Sequence, residues 1–70
     1  MLKRLREKKG ITISFVARKL KIDRATVRKL EEGTVNLKVD WIPILSSIYG
    51  VSNQYIFEEY LKEKGVINND

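Results

Sequence analysis

Arg24, Arg28 and Lys29 lie in a short segment, RATVRKLEE, that also carries Val27 and Leu30. Val27 and Leu30 recur at helical spacing, so the segment reads as a helix with those two residues inward. Its opposite face is then fixed. Arg24, Ala25, Arg28 and Lys29 point outward, with Thr26 at one side. An outward arginine can grip guanine O6 and N7 in bidentate fashion, and the Ala25 methyl can pack on a thymine methyl. Lys29 reaches a base or a phosphate one turn further on. The first turn of such a helix also offers free N–H groups to phosphate. This is chemistry of recognition, with no bond made or broken.

Catalytic chemistry finds no comparable set. The chain has no cysteine and no histidine, which removes thiolate and imidazole zinc sites and most nucleophile–base pairs. Glu58 and Glu59 are adjacent and so point to different parts of a helix surface. Ser46 and Ser47 lack a histidine, and Lys62 reads as a solvated side chain. The expectation is a protein that is not an enzyme and needs no metal and no cofactor. No apolar run approaches the ~20 residues that span a membrane, and none follows the basic start as in a secretory signal. A soluble, cytoplasmic protein is expected, with no membrane partner.

Charge is distributed unevenly. Residues 1–29 hold eleven Lys and Arg against Glu7 and Asp23, a net of +9. Residues 30–70 hold Lys38, Lys62 and Lys64 against seven acids, a net of −4, and the whole chain carries +5. One end favours a polyanion and the other disfavours it.

The elements that must position the basic helix follow from caps and periodicity. Gly10, Gly33, Gly50 and Gly65 each follow a helix-like segment, where a left-handed cap is needed. Five helices are expected, over about 2–9, 13–20, 24–32, 40–49 and 53–63, giving an all-α fold. Leu2 and Leu5 face inward from the first, Val16, Ala17 and Leu20 from the second. Ile42, Leu45, Ile48 and Tyr49 do so from the fourth. In the fifth, Ile56 pairs with Tyr60 and Phe57 with Leu61 at i,i+4. Thr12, Asp23, Asp40 and Ser52 are the expected N-caps. Residues 1–64 are expected to form one domain, with a short frayed tail over 65–70.

The second and third helices are joined by three residues, Lys21, Ile22 and Asp23. This is the layout of a helix-turn-helix, whose second helix enters the DNA major groove. Such a motif needs a small residue where the helices cross, and Ala17 supplies it. It needs positive φ in the turn, and Lys21 must adopt it at a cost of ~1–2 kcal/mol. Ile22 plugs the gap between the two helices.

The ordered set LRE at 5–7, VARKL at 16–20, IDRATVRKLEEG at 22–33 and YGVS at 49–52 resembles the Cro and phage-repressor type of helix-turn-helix domain. The resemblance covers residues 2–57 and implies a compact five-helix, lambda-repressor-like fold. It implies base contacts from Arg24, Ala25, Thr26, Arg28 and Lys29, on the face already derived. It also implies phosphate contacts from Thr12, Ile13, Thr34, Asn36 and Lys38, and a partly buried ion pair between Arg6 and Glu31. The chain departs from the family at Ile13, where glutamine is usual and an amide contact is lost. Phe15 stands where a polar residue is common, and core packing is expected for it. Glu32 falls near phosphate, where its charge is unfavourable unless Lys29 or another cation offsets it.

The implied function is sequence-specific binding of double-stranded DNA by a transcriptional regulator, a repressor acting on an inverted repeat. Val35, Leu37, Trp41, Ile44, Tyr55, Tyr60 and Leu61 exceed what one small core can bury. A homodimer is therefore expected through the loop and helices 4–5, anchored by Leu37, Trp41, Ile44, Tyr55 and Tyr60. No effector module fits into Val66–Asp70, so regulation is expected to come from concentration, promoter competition or a regulatory protein partner. By analogy the chain suits a phage, plasmid or other mobile element. The alternative from another class is a protein-interaction module, an antitoxin or coactivator, that uses the same fold to cover a partner.

Overall fold

The caps and apolar stripes place five helices with short connections, and the computed structural model, which describes residues 1–65, shows them. They are α1 (Leu2–Lys9), α2 (Ile13–Leu20), α3 (Arg24–Glu32), α4 (Trp41–Tyr49) and α5 (Asn53–Glu63). The tail expected over 65–70 falls, apart from Gly65, outside the described residues. Among those described there is no strand, and no helix is long and apolar enough to cross a membrane.

Local side-chain chemistry sets most helix starts. Thr12 Oγ1 accepts from Phe15 N–H, Asp23 Oδ1 from Thr26 N–H and Ser52 Oγ from Tyr55 N–H. Each supplies an acceptor to an N–H with no partner inside its helix. Asp40 does not act in this way. Its own backbone is already helical and its side chain makes no cap bond. The Lys38 and Val39 carbonyls take the Trp41 and Ile42 N–H groups instead, because the loop turns before α4 begins.

The helix ends share one device. In the α2–α3 turn, Lys21 N–H donates to Arg18 O and Ile22 N–H to Ala17 O, with Lys21 at φ 60°. The same pair of bonds closes α1 at Gly10 and α3 at Gly33. The residue after the left-handed one can then fold back on the core, and Ile11 and Ile22 do so.

The core takes residues from every helix. Leu2, Val16, Ala17, Leu20, Val27, Leu30, Ile42, Leu45, Tyr49 and Ile56 are buried, and the loop adds Leu37. α2 packs on α3 and α4, and α4 also packs on α1 and α5. Four side chains lie outside the core. Leu5 and Ile48 are half-buried and pack against the core rather than within it. Phe57 is 48% exposed, because α5 offers two apolar i,i+4 rows and the core takes only the Ile56 row. Phe15 is half-buried beside Ile11 and Ile48, with Arg18 and Lys19 5.5 and 5.3 Å from its ring centroid. It is a surface aromatic under two cations, not a core residue.

Candidate nucleic-acid interface

α2 and α3 meet where Ala17 has no side chain beyond Cβ, and Val27 and Leu30 lock α3 by its inner face. That lock presents Arg24, Ala25, Arg28 and Lys29 to solvent, with Thr26 half-buried beside them. Among the described residues, none of the three cations forms an ion pair within 4.0 Å. The face therefore carries cations that no carboxylate among the described residues meets in an ion pair.

The N-termini of α2 and α3 differ in charge. α2 begins with a neutral cap, Thr12, and the N–H groups of Ile13 and Ser14 have no intrahelical acceptor. α3 begins with Asp23, whose carboxyl the Thr26 side chain and backbone N–H hold below its ordinary range. An ionised carboxylate at that end offsets the pull of the helix dipole on a phosphate. The N-terminus of α2 is thus the better anion site, and that of α3 serves phosphate less well than its free N–H groups suggest. The Ile13 side chain packs against the core, so only its backbone N–H is open to an anion.

Near the same surface, Ile13, Arg28, Glu31, Glu32, Arg6 and Lys3 line one cleft. Lys3 is an exposed α1 cation at this cleft, which the sequence does not single out. The clue was weak, since α1 carries five cations and periodicity does not rank them. Glu32 shares this cleft with Lys3 and Arg28 and forms no ion pair within 4.0 Å among the described residues.

Beneath this surface lies the ion pair. Arg6 Nε donates to Glu31 Oε2 at 2.7 Å and Nη2 to Oε1 at 3.3 Å, while Nη1 donates to Ile11 O at 3.1 Å. The side chains are 12% and 6% exposed. The hydrogen bond to Glu31 raises the Arg6 pKa against the opposing effect of burial. The pair ties α1 to the end of α3.

The loop after α3 holds the remaining positions. Thr34 N–H and Oγ1 both donate to Lys29 O, at 3.0 and 3.2 Å, closing the helix. Asn36 is exposed, and its Oδ1 accepts from Tyr60 Oη at 3.4 Å. Lys38 is exposed, with Nζ 5.5 Å from the Trp41 ring centroid and no carboxylate partner among the described residues.

The residues expected at a dimer interface are spread differently. Leu37 and Trp41 are buried in the core of the single chain, because the loop folds back over it. Ile44 and Tyr60 are half-buried against that core, and Tyr55 is 42% exposed. The larger exposed apolar surface is elsewhere. Val39 is 73% exposed, and with Pro43 and Phe57 it borders a shallow groove shared with Ile42, Asn53 and Gln54.

The motif thus has its small crossing residue, its left-handed turn and an outward basic second helix, which defines a helix-turn-helix DNA-binding domain. A family model described as helix-turn-helix (HTH_3) matches residues 2–56, and the chain belongs to that family, of the Cro and phage-repressor type. It is a DNA-binding regulator in the general sense that this family defines. No curated protein and no solved structure matches the chain.

Proposed function

We propose that this domain is a repressor that binds an inverted-repeat operator as a homodimer, with α3 in the major groove. The observation that carries the reading is the outward face of α3, where Arg24, Arg28 and Lys29 stand exposed without carboxylate partners. Arg24, Ala25, Thr26, Arg28 and Lys29 read base edges. Thr12, the Ile13 N–H, Thr34, Asn36 and Lys38 hold phosphates and set the register. Lys3 joins them from α1. Residues 1–64 act as one unit.

The dimer contact moves from the residues named by composition to the uncharged groove of Val39, Pro43 and Phe57. Val39 directly follows Lys38. A twofold contact there must set the two recognition helices on half-sites about 34 Å apart, the spacing that successive major grooves require.

The test is selection of bound duplexes from a randomised pool, with Arg24→Ala and Lys38→Ala as controls. We expect an enriched inverted repeat. Arg24→Ala relaxes the preference at one position, for a loss of ~1–3 kcal/mol. Lys38→Ala weakens all sequences alike and reduces the salt slope by about one. No enrichment, with salt-sensitive binding only, would shift the reading to an antitoxin or coactivator that uses the Val39–Phe57 groove for a protein partner.

A further inference from the structure

We propose that Tyr60 is a positioning residue for the DNA-contacting loop, setting both the path of its backbone and the orientation of the Asn36 amide. The proposal rests on the reading of that loop as a phosphate clamp.

The loop between α3 and α4 has little to hold its centre. Among the described residues, no backbone carbonyl accepts the N–H of any residue from Val35 to Asp40. The Leu37 N–H has a partner from another element, Tyr60 Oη at 3.1 Å. One phenol on α5 therefore stands where a strand or a turn would ordinarily supply carbonyls. Lys64 adds a second tie, donating from Nζ to Gly33 O at 3.3 Å while lying 5.7 Å from the Tyr60 ring centroid. The end of α5 thus holds the loop at its start and at its middle.

The polarity of the phenol carries the argument further. Tyr60 Oη accepts from Leu37, so its single proton is free for the next acceptor, Asn36 Oδ1. In the structure the amide turns its Oδ1, not its Nδ2, toward the phenol. With Oδ1 turned to Tyr60, the two Nδ2 protons are left for solvent. A phosphate oxygen can only accept, so this orientation is the one that serves it. The reversed amide would present an oxygen to an anion. A side chain that composition assigns to a dimer interface is placed by geometry behind the DNA contact.

Tyr60→Phe tests this, since it keeps the ring under Lys64 and removes only the hydroxyl. Binding of the variant, of Asn36→Ala and of the double variant would be measured on a selected duplex and on a random one, with folding checked by circular dichroism. We expect Tyr60→Phe to weaken both duplexes alike, roughly three- to tenfold. The double variant should bind no more weakly than the weaker single one, because both remove the same contact. A folded Tyr60→Phe that binds like the wild type, or losses that multiply in the double variant, would overturn the role. Hydrogen exchange at Leu37 in the free wild-type chain gives a check that needs no variant. Its amide should exchange far more slowly than those of Asn36 and Lys38, and equal rates would overturn the tether. A wild-type chain that binds no duplex overturns the clamp reading and the amide's role with it, while the Leu37 exchange result separates that failure from failure of the tether.

Discussion

The Arg6 guanidinium meets the Glu31 carboxylate at two points, 2.7 and 3.3 Å, across the gap between the first helix and the end of the third. Two nearly buried charges in this geometry depend on each other, because removing one strands the other. Arg6→Ala or Glu31→Ala should lower unfolding free energy by about 3–5 kcal/mol, enough to unfold much of a domain this small. Urea denaturation would read this directly. A loss below about 1 kcal/mol would mean that the pair behaves as an exposed one.

Tyr49 supplies a pH prediction from the same neighbourhood. Burial first, then the Glu31 charge, pushes its phenol up from 10.0 to about 12, with Arg6 pulling the other way. A raised phenol pKa means that the fold favours the neutral form. The associated stability is complete below pH 10 and disappears as pH rises from 10 to about 12. It amounts to at most about 3 kcal/mol. Across that window wild type should lose up to about 3 kcal/mol of unfolding free energy relative to Tyr49→Phe as pH rises. Parallel curves would show that Tyr49 ionises equally well in both states.

The contrast between the two helix N-termini is open to exchange. Thr12→Asp keeps a competent cap but puts a carboxylate at the start of α2, so the melting temperature should hold. DNA binding should fall by about 1 kcal/mol on every sequence, through repulsion of a nearby phosphate. Asp23→Ser should act in the opposite direction. Unchanged affinity in Thr12→Asp would remove the α2 N-terminus from the phosphate contacts.

Much of this site is legible because its chemistry is local. Thr12, Asp23 and Ser52 mark helix starts by bonds that span three residues, and Val27 with Leu30 fixes which side of α3 faces out. Asp40 has the right residue type but fails as a cap, since neighbouring carbonyls in the loop reach the same N–H groups first. Leu37, Trp41 and Phe57 show where periodicity stops. Whether each is covered depends on how an aperiodic loop crosses α4 and α5, and no local spacing encodes that path. Tyr60 illustrates the same limit, because its partners Asn36 and Leu37 lie 24 and 23 positions away.

Phe57→Glu should separate folding from assembly. Its side chain is 48% exposed, so the monomer should retain its helical content and melt within about 0.5 kcal/mol of wild type. On a two-half-site duplex the variant should bind without cooperativity, as sedimentation would show. Undiminished cooperativity would place the dimer contact on another face.

Lys21 gives the turn a cation at the one non-glycine position of positive φ among the described residues. A glycine would adopt φ 60° without the ~1–2 kcal/mol that a side chain costs there. Lys21→Gly should therefore raise the melting temperature while weakening retention on duplex at elevated salt, and a variant that loses heat resistance would contradict it. If both expectations hold, endurance and grip pull in opposite directions at this residue, and the hardier version of the protein is the one that holds a polyanion less firmly.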